Sequence, residues 1–156
     1  MTAPRLAVAV QLAAPAAAVP PRASLRKWVA AALAGHGGEV TVRIVSAAES
    51  AALNSRYRGR EGATNVLSFC AGARAPLPAD EPQPLGDVVV CAEVVEREAR
   101  EQRKACEAHW AHMVVHGALH LVGYDHATAS EAEVMEARER ALLAQLGFPD
   151  PYVPAA

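Results

Sequence analysis

The chain has 156 residues and a formal net charge of −2, and 52% of its residues are hydrophobic. A chain of this length is typical of a single domain with its own core, so we expect one domain over residues 1–156 and exclude small disulfide-dependent scaffolds. The weak net charge argues against a broad surface for duplex nucleic acid, and an aromatic content of 4% argues against a base-stacking platform.

The first half of the chain alternates between predicted strands and helices. In chain order these are a strand at Leu6–Leu12, a helix from about Ser24 to the glycines that begin at Gly35, a strand at Glu39–Val45, and a helix that ends near Arg58. The second strand is indicated by its alternating, β-branched sequence. Ser46 and Glu49 have the spacing of a capping box, which marks the start of the second helix.

The second half of the chain is mainly helical. It contains predicted strands at Thr64–Phe69 and Gly86–Cys91, a proline-rich surface loop between them at Gly72–Pro84, and helices at Glu93–Lys104, through Trp110–Leu119 and at Ser130–Leu146. Together the two halves predict an α+β fold in which helices cover a single mixed β-sheet. The pattern does not give the order of the strands in that sheet.

The N-terminal segment is apolar, but four prolines interrupt it before residue 22, so a membrane span is disfavoured. A signal peptide is the closest alternative, since Arg5 precedes an apolar stretch with small residues. The three cysteines, Cys70, Cys91 and Cys106, form no CxxC pair, so we expect neither disulfides nor a thiolate metal site. A cytoplasmic protein is the simplest interpretation.

The segment from His116 to His126 has the spacing H-x3-H-x5-H. His116 and His120 lie four residues apart, so on a helix they share one face and can bind one metal ion. Gly123 can adopt the left-handed conformation that ends a helix, which would bring His126 back to the same ion. Three histidine ligands leave a tetrahedral position open for water, as in catalytic zinc sites. The alternative is three separately hydrogen-bonded histidines.

The same spacing occurs in the extended zinc-protease signature, whose general-base glutamate is replaced here by Gly117. Glycine takes up no proton, so proteolysis by that route is disfavoured. His112 and His116 are also four residues apart, but His112 and His120 are separated by about 12 Å of helix, too far for one ion. The glycine turn favours the downstream trio, which leaves His109 and His112 to support the ligands, face substrate or pack.

Three arginines, Arg56, Arg58 and Arg60, follow one another closely at the end of the second predicted helix. Guanidinium groups bind phosphate oxygens in pairs and stabilise charge at phosphorus, although arginines are also common at solvated helix ends. Asp87 and Asp125 each allow two interpretations: a carboxylate that assists the site, or a turn or capping residue.

These residues resemble the YbeY-type endoribonucleases, the bacterial ribosomal RNA maturation factors. The segments that carry the resemblance are Leu53–Asn54, Tyr57–Gly59, Thr64–Phe69, Leu85–Asp87, Ala108–Gly117, Leu119–Leu121 and Gly123–His126. The segment HGxLHLxGYDH is highly specific to this family. At these positions the chain does not depart from the family pattern.

The resemblance implies a zinc-dependent, single-strand-specific endoribonuclease of 16S ribosomal RNA 3′-end maturation and ribosome quality control. It places one zinc ion on His116, His120 and His126, and it makes Arg58 and His116 the expected catalytic residues. Single-stranded RNA, ribosomal RNA and the small ribosomal subunit with its assembly proteins are the implied partners, with no membrane.

The nucleophile stays open at this point. Either water attacks phosphorus while Arg58 stabilises the anion, or the substrate's own 2′-hydroxyl attacks, in which case the product carries a 2′,3′-cyclic phosphate. Two other functions remain as alternatives. One is a non-catalytic assembly factor of the small subunit with a structural zinc site, and the other is a metal hydrolase of another substrate.

Overall fold

The structure is a computed structural model that describes residues 5–14, 18–71 and 83–154. Its strands are Leu6–Leu12 (β1), Gly38–Val45 (β2), Val66–Cys70 (β3) and Pro84–Cys91 (β4), and its helices are Arg22–Ala32 (α1), Ala47–Arg58 (α2), Ala92–Glu101 (α3), Cys106–Leu121 (α4) and Ala129–Gln145 (α5). Each strand and helix predicted from the sequence is present, with ends that differ by a few residues. Nearly all of the predicted loop at Gly72–Pro84 lies outside the described residues.

The four strands form one mixed sheet in the order β1-β2-β4-β3. β1 and β4 both pair with β2 in parallel, and β3 pairs with β4 in antiparallel orientation. The predicted α+β class with a single mixed sheet is therefore confirmed. β3 is an edge strand. Its residues contact α4.

The two faces of the sheet carry separate apolar clusters, and consecutive residues at the C-terminal ends of β2 and β4 are buried on both faces. One cluster joins Val40, Val42 and Ile44 of β2 to α1 and α4, and the smaller one joins Val45 of β2 and Leu67 of β3 on the side of α2. α4 is apolar around most of its circumference, as expected of a helix enclosed by other elements. It contacts the sheet and the helices α1, α3 and α5.

α4 lies unusually close to the sheet at Gly117. A Cβ atom at this position would stand 2.6 Å from Val88 Cγ1 and 3.0 Å from Val66 Cγ2, which is closer than side chains tolerate. The Ser68 hydroxyl donates a hydrogen bond to the Gly117 carbonyl over 2.8 Å. The missing side chain therefore allows the helix to settle on β3 and β4, and the hydrogen bond fixes it there.

The outer edge of β1 is covered by two side chains of α1. Arg22 and Arg26 donate hydrogen bonds to the carbonyl oxygens of Val10 and Val8, over 3.3 and 3.2 Å. Across the described parts of the chain, no helix has the length and apolar character needed to cross a membrane.

Candidate metal centre

Four histidines form a row along one face of α4. His109, His112, His116 and His120 follow at intervals of three, four and four residues, which keeps them on one side of a helix with 3.6 residues per turn. The ring centroids of successive members are 6.3, 6.2 and 4.7 Å apart. His109 is buried near the start of α4, whereas His116 and His120 are partly exposed at its C-terminal, open end.

The structure brings the three predicted ligands together at that open end. His116 Nε2 and His120 Nε2 are 3.2 Å apart, close to the spacing of about 3.3 Å between two nitrogen ligands of one tetrahedral zinc ion. The His126 ring stacks on His116 with 5.4 Å between centroids, and its centroid lies 5.0 Å from that of His120. One nitrogen from each ring falls within 4.8 Å of the others, so the three residues could hold a metal ion.

His126 reaches this position through the turn that ends α4. Gly123 has φ +101°, the left-handed conformation predicted for it. The Gly123 N–H donates to the His120 carbonyl and the Tyr124 N–H donates to the Leu119 carbonyl, the pair of hydrogen bonds of a Schellman motif. The turn therefore reverses the chain directly after His120.

A buried carboxylate that the sequence analysis missed stands behind the histidines. Glu139 of α5 is 0% exposed. Its Oε2 lies 2.8 Å from His116 Nδ1 and its Oε1 lies 2.7 Å from His112 Nε2. Burial alone would raise the pKa of this carboxyl, but hydrogen bonds from His112, His116 and Tyr152 outweigh burial and lower it to about 2. Glu139 is therefore ionised at neutral pH.

The charge on Glu139 decides which nitrogen of His116 is free. An ionised carboxylate only accepts hydrogen bonds, so the proton of neutral His116 lies on Nδ1 and the lone pair lies on Nε2, toward His120. A carboxylate that holds a histidine in this way orients it as a metal ligand and increases its basicity. In His120, burial, and then the neighbouring His116 and His126, lower the pKa, which favours the neutral form that binds metals.

The same reasoning separates the other two histidines from the trio. His112 points its Nε2 to Glu139, and His109 points its Nε2 to Glu98 Oε1 over 2.9 Å. His112, His116 and Glu139 also form a group close enough to hold a metal, but its members are already joined to each other by the two short hydrogen bonds. We therefore interpret His112 as a support for Glu139 rather than as a ligand.

The trio opens into a cleft of about 590 Å³ between α4, its C-terminal turn, β3 and the end of α2. Arg58 and Arg60 line this cleft together with the three histidines, as do Asn65 and Asp125. Asp125 Oδ1 accepts a hydrogen bond from the backbone N–H of His126 over 2.8 Å, so this carboxylate supports the loop that carries the third histidine.

Arg58 and Arg60 stand on either side of the residue that ends α2, and both line the cleft. Gly59 adopts the left-handed conformation, with φ +65°, and ends α2. The side-chain amide of Asn54 donates a hydrogen bond to the Gly62 carbonyl over 2.9 Å. Arg56 lies elsewhere, with its guanidinium carbon 5.3 Å from the centre of the exposed Tyr57 ring. Asp87 lies within β4 and is exposed, and it is not part of the cleft lining. Of the three arginines, two thus line the same cleft as the histidine trio.

Comparisons with known proteins agree with this geometry. The family model described as Endoribonuclease YbeY matches residues 18–147. Proteins described as Endoribonuclease YbeY from Alkalilimnicola ehrlichii and Stenotrophomonas maltophilia are 59% identical over 141 residues and 53% identical over 151 residues. These alignments cover 87% of this chain and 84% of the first relative, and 95% and 94% for the second.

A solved structure shows the same fold. The solution structure of TM1509 from Thermotoga maritima is 25% identical to this chain, with a TM-score of 0.54, and the alignment covers 92% of this chain and 99% of that one. The family match and the two relatives each extend over most of the residues that build the cleft. The chain therefore belongs to the endoribonuclease YbeY family.

Proposed function

We propose that the protein is a zinc-dependent endoribonuclease that cuts single-stranded RNA in the maturation of the 16S ribosomal RNA 3′ end and in ribosome quality control. Membership of an endoribonuclease family supports the coarser part, cleavage of RNA. The observation that carries the site assignment is that one cleft holds a convergent histidine trio and two arginines.

In this proposal His116, His120 and His126 hold one zinc ion, because three neutral imidazoles fit the donor preference of zinc. When bound, the ion supplies Lewis acidity and lowers the pKa of a coordinated water. Glu139 keeps the His116 lone pair aimed at the ion. His116 is the member of the trio whose Nδ1 is held by this buried carboxylate.

Arg58 has the role of binding the scissile phosphate and stabilising the negative charge that develops on it. Its position on the cleft wall, in the same cavity as the histidines, supports this role. Arg60 lies on the same wall and is suited to a neighbouring phosphate. No base stands at Gly117, so this position takes no part in proton transfer.

The weak net charge of −2 indicates modest intrinsic affinity for RNA, since positive charge at the site is concentrated in two arginines. We therefore propose that the small ribosomal subunit and its assembly proteins supply much of the targeting, in the cytoplasm.

The decisive experiment pairs zinc content with cleavage of a labelled single-stranded RNA. The wild type, a chelated sample, the same sample with zinc restored, and His116→Ala are compared at matched folding. We expect one zinc ion per chain, and cleavage that disappears with chelation and returns with zinc. Cleavage that is absent or indifferent to zinc, together with an unfolded His116→Ala variant, would indicate a structural site instead.

A further inference from the structure

We propose that Tyr152 is a positioning residue for the metal centre, acting from the segment after α5 through Glu139 on His116. Its hydroxyl donates a hydrogen bond to Glu139 Oε1, the oxygen that also accepts from His112. This inference rests on the proposed function, because it requires that the histidine trio binds a metal.

Three side chains among the described residues hold the Glu139 carboxylate. It is fully buried, and its three donors are His116 on one oxygen and His112 and Tyr152 on the other. A buried carboxylate that loses a donor is left with an unsatisfied oxygen, so we expect the remaining donors to shift. Rotation of the carboxylate would move Oε2 relative to His116 Nδ1, and the His116 ring would follow.

Tyr152 is itself held in place by several contacts that involve neither the cleft nor the trio. The Tyr152 N–H donates to Asp150 Oδ1 over 2.8 Å, and Arg140 Nε forms an ion pair with Asp150 over 3.2 Å. The Arg140 guanidinium lies 5.0 Å from the centre of the Tyr152 ring. Lys104 Nζ donates to the Pro151 carbonyl over 2.7 Å. The segment is therefore anchored to α5 and to the turn before α4.

The chemistry of the hydroxyl suits this role. Burial, and then the hydrogen bond to Glu139, raise the pKa of the Tyr152 hydroxyl, so it remains protonated and continues to donate. Its ring meets the His112 ring edge to face with 5.3 Å between centroids, which also fixes His112 beside Glu139. Tyr152 thus controls Oε1 both directly and through its contact with His112.

The test is the zinc affinity of Tyr152→Phe, measured by competition with a chromophoric chelator. This change removes only the hydroxyl and keeps the ring on His112 and Arg140. Loss of a residue that supports a metal ligand weakens zinc binding by about 10–100-fold, and we expect a value near the lower end, since His112 remains. We also expect altered absorption bands when cobalt replaces zinc, because the ligand field reports the orientation of His116.

Tyr57→Phe is the matched control, since it removes the hydroxyl of another tyrosine that contacts Phe69 and Arg56. Circular dichroism and melting curves of the zinc-free variants show whether folding is equal. If the wild type binds zinc and Tyr152→Phe binds it with unchanged affinity and an unchanged cobalt spectrum, the inference is wrong. If the wild type binds no zinc, the proposed function itself fails.

Discussion

The proposed function gives Arg58 and the histidine trio separable tasks in the cleft. Arg58→Ala removes the guanidinium expected on the phosphate but leaves every metal ligand in place. We expect cleavage to fall by about 100-fold or more, as for other donors that stabilise a transition-state anion, while metal content stays near one ion per chain. Cleavage rate and bound zinc are measured on the same samples.

Arg56→Ala is the control for this prediction, because Arg56 lies over Tyr57 rather than on the cleft wall. It should cleave close to the wild-type rate. Loss of zinc from Arg58→Ala would contradict a phosphate-binding role and would indicate that this arginine supports the metal centre instead.

Gly117→Ala tests the close approach of α4 to the sheet. The new methyl group would stand 2.6 Å from Val88 Cγ1 in a buried region, and overpacking of this kind destabilises proteins by about 1–3 kcal/mol. We expect the free energy of unfolding in denaturant to fall by this amount. Val88→Ala added to the same chain removes the opposing atom, so the two substitutions should not be additive. If the loss of stability in the double variant equals the sum of the losses in the two single variants, the clash with Val88 is not the cause.

Spacing was sufficient to predict that His116, His120 and His126 come together, because a helix and a glycine turn convert sequence distance into position. Two pairs are four residues apart, His112–His116 and His116–His120, and the glycine turn favoured the second. The sequence left the role of His112 open, because that role depends on its contact with Glu139, a residue of a different helix. The only signal for Glu139 was its place on the inner face of α5 between Met135 and Leu142, where a charged residue is unusual.

The turn between α3 and α4 offers a test of local backbone strain at the scale of one element. Arg103 has φ +54°, and among the described residues it is the only non-glycine with positive φ. Glycine adopts this conformation without the Cβ penalty, so Arg103→Gly should stabilise the protein, by about 0.5–1 kcal/mol after the added freedom of the unfolded chain. Thermal melting at matched zinc content is the measurement.

Gly147→Ala is the reverse test, because it adds a Cβ atom at a residue with positive φ. Gly147 has φ +91° at the end of α5, and a Cβ there would contact nothing within 4 Å, so strain is the main change. The melting temperature should fall. If the melting temperature of Arg103→Gly also falls, the contacts of the Arg103 side chain stabilise the protein by more than its backbone strain destabilises it.

The helices and strands could be predicted because each carries its own periodicity and end signals, such as Ser46, whose side chain accepts from the Glu49 N–H. The order β1-β2-β4-β3 could not be predicted, since it depends on which hydrophobic faces meet after the chain has crossed the sheet. The cleft could not be predicted for the same reason, because α2, β3 and α4 come together only through that strand order.

For the molecule as a whole, we expect folding to be largely independent of the metal. The main apolar cluster contains buried residues of α1, α4, α5 and the sheet, whereas two histidines of the trio are only half-buried and the third is exposed. Zinc removal should therefore abolish cleavage while the zinc-free protein keeps its far-ultraviolet and near-ultraviolet circular dichroism. Its melting temperature should fall by an amount that grows with the zinc concentration of the reference sample. Loss of both spectra on chelation would instead indicate a structural metal.

The two arginines of α1 that bind the β1 carbonyls have a further consequence for the assembled molecule. A helix advances about 6 Å over four residues, and alternate residues of a strand are about 6.6 Å apart. Arg22 and Arg26 can therefore reach the carbonyls of Val10 and Val8 without bending either element. A second chain that approached this edge would have to displace both guanidiniums before it could add a strand. The geometry of one helix thus protects the β1 edge of the sheet from pairing with another chain.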